Sequence, residues 1–257
     1  MSAPNTAPEE RPAVAIAIGN ELLSGRTTDT NFVELARMLG EIGIRVGRHL
    51  TIADDRDLIG RVLAAEAPGA SVIVVTGGLG PTADDVTREA IADFAGVPLA
   101  EDPATAARLA ARYAEYGRPF AGTARRQALQ PTGVDLLPNP VGLAPGLWLE
   151  VHGCAICALP GVPGEFRRML RESVLPRLVQ RGRAPATATA VVRTVGMPES
   201  EIADRLEPLA IPELAYLPHS GTVDLRMVAR GPDAAARVTA LADQVAALLG
   251  IGLVGLR

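Results

Sequence analysis

The stretch VIVVTGGLGPTADDVTREA, residues 72–90, joins five apolar or β-branched residues to a glycine-rich turn and then to a helical pattern. A continuous apolar run of this kind predicts a strand covered on both faces, as in a parallel sheet. The turn carries three glycines, a proline and two adjacent aspartates, Asp84 and Asp85. This stretch therefore predicts a strand-turn-helix unit of an α/β domain, with a turn whose composition indicates a chemical role.

The preceding sequence repeats this alternation of strand and helix. AVAIAIG at 13–19 predicts another buried strand, and the strand RVGRHLTI separates two helical patterns, NFVELARMLGEIGI and DDRDLIGRVLAAEA. The order indicates a three-layer α/β/α domain with a mostly parallel sheet over residues 13–182. Residues 1–12 are polar and rich in proline and are predicted to be disordered, whereas residues 186–257 predict a small α+β domain.

Composition excludes several classes of partner. The net charge is −4 over 257 residues, and no basic run is longer than a pair, so we expect no nucleic-acid partner. No uninterrupted apolar stretch reaches the roughly 18 residues of a membrane span, and the first residues lack a signal-peptide pattern. We therefore expect a cytoplasmic protein without a membrane partner. Cys154 and Cys157 are predicted to be small buried hydrophobic residues, because only His152 lies near them.

Ligands of open parallel sheets bind beyond the carboxyl ends of the strands, so the segments that follow the predicted strands are the candidate sites. Three stand out: GNELLSGRTTDTN after the first strand, TGGLGPTADDVT after the third, and LPGVPGE after the strand that holds the cysteines. In the second segment, the backbone amides of a glycine-rich turn and the start of a helix predict a site for an anion.

The two aspartates beside this anion site have two explanations. In the first, Thr82 and Asp85 form a capping box, with Asp85 in the first helical turn. In the second, both acids contact a ligand, although two like charges about 4 Å apart cost roughly 4 kcal/mol at an effective dielectric constant of 20. A divalent cation would offset that repulsion, or the acids would accept hydrogen bonds from ribose hydroxyls or pterin N–H groups.

Four motifs resemble one known family in order and spacing. GNELLSGRTTDTN, TGGLGPTADDVT, LPNPVGLAPG and ALPGVPGE are similar to the N-terminal region of the CinA family (competence/damage-inducible protein A), whose domain resembles molybdopterin-binding proteins of the MoaB, MogA and MoeA type. AYLPHSGTVDLRM resembles the family's smaller second domain. The resemblance implies metal-dependent hydrolysis of ADP-ribose to AMP and ribose 5-phosphate. The C-terminal domain that deamidates nicotinamide mononucleotide in many members is expected to be absent.

The resemblance also implies roles for individual residues. Asp84 and Asp85 are the implied catalytic residues and, with Glu21, the implied ligands of Mg²⁺, Mn²⁺ or Co²⁺, with potassium as a further candidate ion. Asn20 stands where members commonly have an acid, so Glu21 is the stronger ligand candidate of the two. The implied substrate- or phosphate-binding residues are Gly77, Gly78, Gly80, Thr82, Asn31, Asn139, Gly161 and Glu165.

The leading hypothesis from the sequence is thus a metal-dependent pyrophosphatase that hydrolyses ADP-ribose or a similar nucleoside diphosphate derivative, with a small-molecule nucleotide as its partner. One alternative is a protein that binds molybdopterin or a related cofactor without turnover. Another is an interaction module that acts in DNA uptake or stress responses. By analogy with relatives, we expect a homo-oligomer.

Overall fold

A computed structural model describes residues 11–181, 187–212 and 214–250 of the chain. Of the segment 1–12, which is predicted to be disordered, residues 1–10 lie outside the described residues. The predicted domain boundary at 182–186 also lies outside them. The chain divides into two compact units, and the division falls between residues 183 and 184. Within the described ranges, no helix has the length and apolar character needed to cross a bilayer.

Strands of the first unit form one large sheet and one small one. The strands are β1 (Ala13–Ile18), β2 (Val46–Ile52), β3 (Val72–Thr76), β4 (Leu99–Glu101), β5 (Leu129–Pro131), β6 (Asp135–Leu137), β7 (Gly146–Val151) and β8 (Cys154–Leu159). The large sheet has the order β2-β1-β3-β8-β7-β6, and β4 pairs with β5 apart from it.

The large sheet is parallel through β2, β1, β3 and β8 and antiparallel at β7 and β6. The prediction of a mostly parallel sheet is therefore confirmed. The antiparallel part arises because β7 and β8 are joined by a tight turn in which His152 and Gly153 both have positive φ. The proline- and glycine-rich segment 119–148 contains β5, β6 and the start of β7, so part of it extends the sheet rather than forming loop alone.

Helices cover both faces of the large sheet. They are α1 (Asn20–Leu23), α2 (Asn31–Glu41), α3 (Arg56–Glu66), α4 (Thr87–Ala95), α5 (Pro103–Glu115), α6 (Pro163–Met169) and α7 (Leu175–Gln180). Successive strand residues point to opposite faces, and every residue of β1, β3 and β8 is buried. The predicted three-layer arrangement is thus confirmed. Asp55 and Asp102 cap α3 and α5, because their side chains accept the amides of Leu58 and Thr105.

The second unit is a small α+β domain, as predicted. It contains β9 (Thr187–Val195), α8 (Glu199–Leu206), β10 (Leu214–His219), β11 (Thr222–Arg230) and α9 (Ala234–Leu249). The three strands are antiparallel in the order β10-β11-β9, and one face packs on apolar residues of α8 and α9 such as Ile202 and Val245.

Candidate functional site

A cleft of about 870 Å³ opens in the first unit at the carboxyl ends of β1, β3 and β8. Its floor consists of the segments that directly follow these strands, including 76–80 and 160–163. This is the edge at which a parallel sheet presents its loops, so the position matches the general location of ligand sites in such folds. Most of the residues that the family resemblance singled out line this cleft: Glu21, Asn31, Gly77, Gly78, Gly80, Asp84, Asp85, Gly161 and Glu165.

The glycine loop after β3 is held close to the start of α4. Gly77 and Gly78 have φ values of 105° and 65°, which L-residues with a Cβ rarely adopt. A Cβ on Gly78 would overlap with the Thr87 hydroxyl, which donates to the Gly77 carbonyl at 2.9 Å. The Thr87 amide also donates to the Gly78 carbonyl at 3.1 Å. Glycine is therefore required by the close approach as well as by the backbone angles.

Arg88 also stabilises the glycine loop, and the sequence analysis did not predict this role. Its side chain is 1% exposed and donates to the carbonyl oxygens of Leu79 at 2.5 Å and Gly80 at 2.6 Å. Burial lowers the pKa of the guanidinium, and the nearby carboxylates of Glu89 and Asp85 oppose that shift. An arginine among the apolar positions of a helix that follows a glycine loop is the signal that could have identified this role.

Two backbone amides of the loop are left for a ligand. The amides of Gly77 and Gly80 donate to Leu159 and Asp85, whereas those of Gly78 and Leu79 have no acceptor within the described part of the chain. Both residues line the cleft beside the start of α4. Unpaired backbone amides of a glycine-rich loop that lies beside a helix start provide a favourable position for an anion.

Asp85 has a structural role that neither explanation from the sequence described fully. Its Oδ1 accepts the Gly80 amide at 2.7 Å, and its Oδ2 accepts the amide and the hydroxyl of Thr82 at 2.8 and 2.5 Å. The prediction that Asp85 lies in the first helical turn is wrong, because α4 begins at Thr87. The reason is that the side chain folds residues 80–85 into a turn before the helix can start. Thr82 itself lies outside the cleft lining and acts through Asp85.

Asp84 is exposed and lies beside this turn. The Thr82 hydroxyl and the aspartate's own amide, together with the charge of Arg126, hold its pKa below the ordinary value. Arg126 donates to the backbone carbonyls of Thr82 and Asp85 and pairs with Glu89 at 2.9 Å. Arg126 thus stabilises the turn at residues 82–85.

The metal centre implied by the family resemblance does not fit these donors. Within the described ranges, no group of three or more His, Cys, Asp or Glu side chains is arranged to hold a metal ion. Glu21, Asp84 and Asp85 all line the cleft, but both oxygens of Asp85 already accept hydrogen bonds from the loop. The set therefore does not support the divalent ion, whereas the potassium ion stays a prediction.

Asn31 joins two strand ends across the cleft floor. Its buried Nδ2 donates to the Thr76 hydroxyl at 3.0 Å and to the Gly161 carbonyl at 2.9 Å. Asp29, two residues earlier, caps the start of α2 by accepting the Phe32 amide at 3.1 Å. The bridge by Asn31 fixes the spacing between the glycine loop and the turn after β8.

Asn139 shapes the opposite wall. Its Nδ2 donates to Glu165 at 2.6 Å and to the Ala144 carbonyl at 2.9 Å, while its Oδ1 accepts the amides of Val141 and Gly142. Asn139 is buried and outside the cleft lining, whereas Glu165 lines the cleft. Asn139 is therefore a residue that positions Glu165 and the 141–144 loop.

The charge of the cleft is unusual for a site that accepts an anion. One arginine, Arg112 of α5, lines it within the described residues, and its guanidinium lies 5.6 Å from the Tyr116 ring centre. The carboxylates that line the cleft are those of Glu21, Asp29, Asp54, Asp84, Asp85 and Glu165. A ligand that carries N–H donors as well as an anionic group matches this distribution better than a purely anionic one.

Comparison with known proteins supplies the family. Residues 14–180 match the family described as "Probable molybdopterin binding domain", and residues 189–251 match "Damage-inducible protein CinA KH domain". The chain belongs to the CinA family. The solved structure of "the protein CinA with unknown function from Thermoplasma acidophilum" is 32% identical, with a TM-score of 0.59, over 68% of this chain and 99% of that one.

Curated relatives agree with this family but are longer. A CinA-like protein of Frankia casuarinae is 38% identical over 87% of this chain and 54% of its own length. Another, from Geobacter sulfurreducens, is 41% identical over 88% of this chain and 56% of its own length. The chain thus spans about half the length of the curated relatives it matches.

The predicted ADP-ribose pyrophosphatase, and with it the assignment as a hydrolase, is wrong. The family that matches residues 14–180 is described as a probable molybdopterin binding domain, and the CinA relatives give no support for hydrolysis of ADP-ribose. The physical reason lies in Asp85. The argument for a bridging cation assumed two free carboxylates, but three hydrogen bonds from the loop already compensate the charge of Asp85.

Proposed function

We propose that the first unit is a binding domain for a phosphorylated pterin of the molybdopterin type, held in the cleft at the ends of β1, β3 and β8. The description of the matched family supports this ligand class. The chemistry of the cleft supports it independently, because the cleft offers acceptors for ring N–H groups and donors for an anionic group. The role is binding without turnover.

The phosphate would occupy the glycine loop. The unpaired amides of Gly78 and Leu79 are its proposed donors, and the positive end of α4 adds a favourable field. Arg88 supports this arrangement because it holds the carbonyls of Leu79 and Gly80 away from an incoming anion. Arg112 is the proposed second cationic contact.

The pterin ring would face the carboxylates. A pterin carries an exocyclic amino group and ring N–H groups, which are donors for ionised carboxylates. Asp84 is the leading candidate because its side chain is exposed in the cleft and its pKa is lowered, so it is ionised at neutral pH. Glu21 is a second candidate, and its carboxylate packs against Gly19 at the end of β1.

The observation that carries the proposal is the presence of two unpaired amides and exposed carboxylates in one cleft. The test is calorimetric titration with 6-hydroxymethylpterin phosphate, followed by anaerobic titration with molybdopterin. We expect saturable binding, and Asp84→Asn should weaken it about tenfold. Asp57→Asn, on the exposed face of α3 outside the cleft lining, is the matched control and should bind like the wild type. Absence of saturable binding to either pterin would overturn the proposal.

A further inference from the structure

Gln127 is a buried polar residue in the cleft wall, and neither the loop contacts nor the proposed pterin contacts involve it. It belongs to the 3₁₀ turn Gly122–Ala128, its side chain is 4% exposed, and it lines the cleft. Its Oε1 has no hydrogen-bond partner within the described part of the chain. Its backbone carbonyl accepts a hydrogen bond from the Gln130 side-chain amide at 2.7 Å.

A buried acceptor without a partner is rare in folded proteins and destabilises the state in which it is unpaired. Glutamine at such a position is explained if a donor reaches it in the bound state. Because its Oε1 has no hydrogen-bond partner within the described part of the chain, rotation about the terminal bond can present this oxygen to a group in the cleft. We infer that Gln127 is a ligand-recognition residue whose Oε1 accepts a hydrogen bond from an N–H group of the bound heterocycle.

This inference rests on the proposed function and adds a specificity residue to it. Oε1 is an acceptor without charge, so it selects for a donor on the ring and not for the phosphate. Together with Arg112 and Tyr116, Gln127 places three cleft-lining residues in the segment 103–128. A ring that lacks N–H donors would leave the glutamine oxygen unpaired and would bind less tightly.

The chain provides a matched control in Gln130. Its side chain is also 4% exposed and its Oε1 also lacks a partner, but it lies outside the cleft lining. Substitution by methionine in either position removes the unpaired oxygen and keeps a side chain of similar length. Both variants lose a buried polar group and they differ in access to the cleft, and Gln130→Met also removes the hydrogen bond that the Gln130 amide donates to the Gln127 carbonyl.

The experiment measures the dissociation constant of 6-hydroxymethylpterin, which lacks the phosphate, together with the urea midpoint of the ligand-free protein. We expect Gln127→Met to weaken binding about tenfold, equivalent to about 1.4 kcal/mol, without lowering the midpoint. Gln127→Glu keeps an oxygen acceptor and should bind within about threefold of the wild type. Gln130→Met should bind like the wild type. If Gln127→Met does not fold, Gln127→Asn, which retracts the oxygen by one methylene, should show the same loss.

The outcomes separate this inference from the proposed function. If the wild type binds the pterin and Gln127→Met, or Gln127→Asn in its place, binds equally well, the role of Gln127 is overturned and the proposed function stands. The same holds if Gln127→Met and Gln130→Met weaken binding equally, or if the midpoint of Gln127→Met falls together with its affinity. If the wild type binds no pterin, the proposed function is overturned, and the inference with it.

Discussion

Asp85 accepts a hydrogen bond from the backbone amide of Gly80 at 2.7 Å, so this acid belongs to the fold of the loop and is not a free ligand group. The same carboxylate accepts two further bonds from Thr82. Folding of the loop and formation of the anion site are therefore coupled through one side chain.

Asp85→Asn tests this coupling. An amide in place of the carboxylate turns one acceptor into a donor that faces N–H groups, so charge-assisted hydrogen bonds are lost. We expect the free energy of unfolding, measured by urea titration, to fall by about 2 kcal/mol. Asp84→Asn is the control, because the Asp84 side chain is exposed, and it should remain near the wild type. Equal stability of the two variants would show that Asp85 does not organise the loop.

Gly78→Ala tests the close approach of the loop to α4. The added methyl group would overlap with the Thr87 hydroxyl, and the alanine backbone would have to keep the positive φ of Gly78. Gly96 has a similar φ of 68° but open space around its Cβ position, so Gly96→Ala isolates the backbone strain. We expect a loss of about 1 kcal/mol for Gly96→Ala and about 3 kcal/mol for Gly78→Ala in urea unfolding. A difference near zero would contradict the packing described for the loop.

Arg88→Met removes the buried guanidinium and leaves the carbonyls of Leu79 and Gly80 without a donor. We expect a loss of about 2 to 4 kcal/mol in the free energy of unfolding, because one buried and one partly buried acceptor lose their partner. Arg56→Met is the comparison, since the Arg56 side chain is 49% exposed and pairs with an exposed Asp93. In thermal denaturation, we expect the melting temperature of Arg56→Met to be close to that of the wild type and the melting temperature of Arg88→Met to be far lower. Similar melting temperatures would contradict the supporting role of Arg88.

The second unit provides a prediction about pH. Hydrogen bonds from Arg193 lower the pKa of Asp224, with distances of 2.6 and 2.7 Å to its two oxygens. A lowered folded-state pKa contributes stability above the unfolded pKa of about 3.9, and that contribution is lost as the pH falls through the folded value. Carboxyl-carbon NMR titration should show the Asp224 pKa below 3.9 in the wild type and higher in Arg193→Gln. An unchanged value in the variant would rule out this pair as the main cause.

Strands and caps with local signals were predictable from the sequence. AVAIAI and VIVVT gave the central strands because both faces of those strands are buried, and Asp55 and Asp102 cap helices through bonds to residues three positions later. The antiparallel strands β6 and β7 were not foreseen. Their pairing depends on a turn at His152 and Gly153 and on contacts between strands that are distant in sequence, which a local sequence pattern does not predict.

The residues of the cleft were predictable in part. Its glycines and most of its acids follow strands, so the general rule for parallel sheets brought them to one edge. Arg88 and Gln127 were missed because their roles come from burial and from unpaired atoms, which appear only in three dimensions. The role of Asp85 was misjudged for a similar reason: its hydrogen bonds to Gly80 and Thr82 depend on a turn that delays the helix to Thr87.

The most direct test of the proposed pterin site is an amide NMR titration of the full chain with 6-hydroxymethylpterin phosphate and with 6-hydroxymethylpterin. We expect saturable shifts for both ligands at residues that line the cleft, and additional downfield shifts of the Gly78 and Leu79 amide protons with the phosphate ester alone. Shifts confined to other surfaces, or identical responses of those two amides to both ligands, would contradict the proposed site.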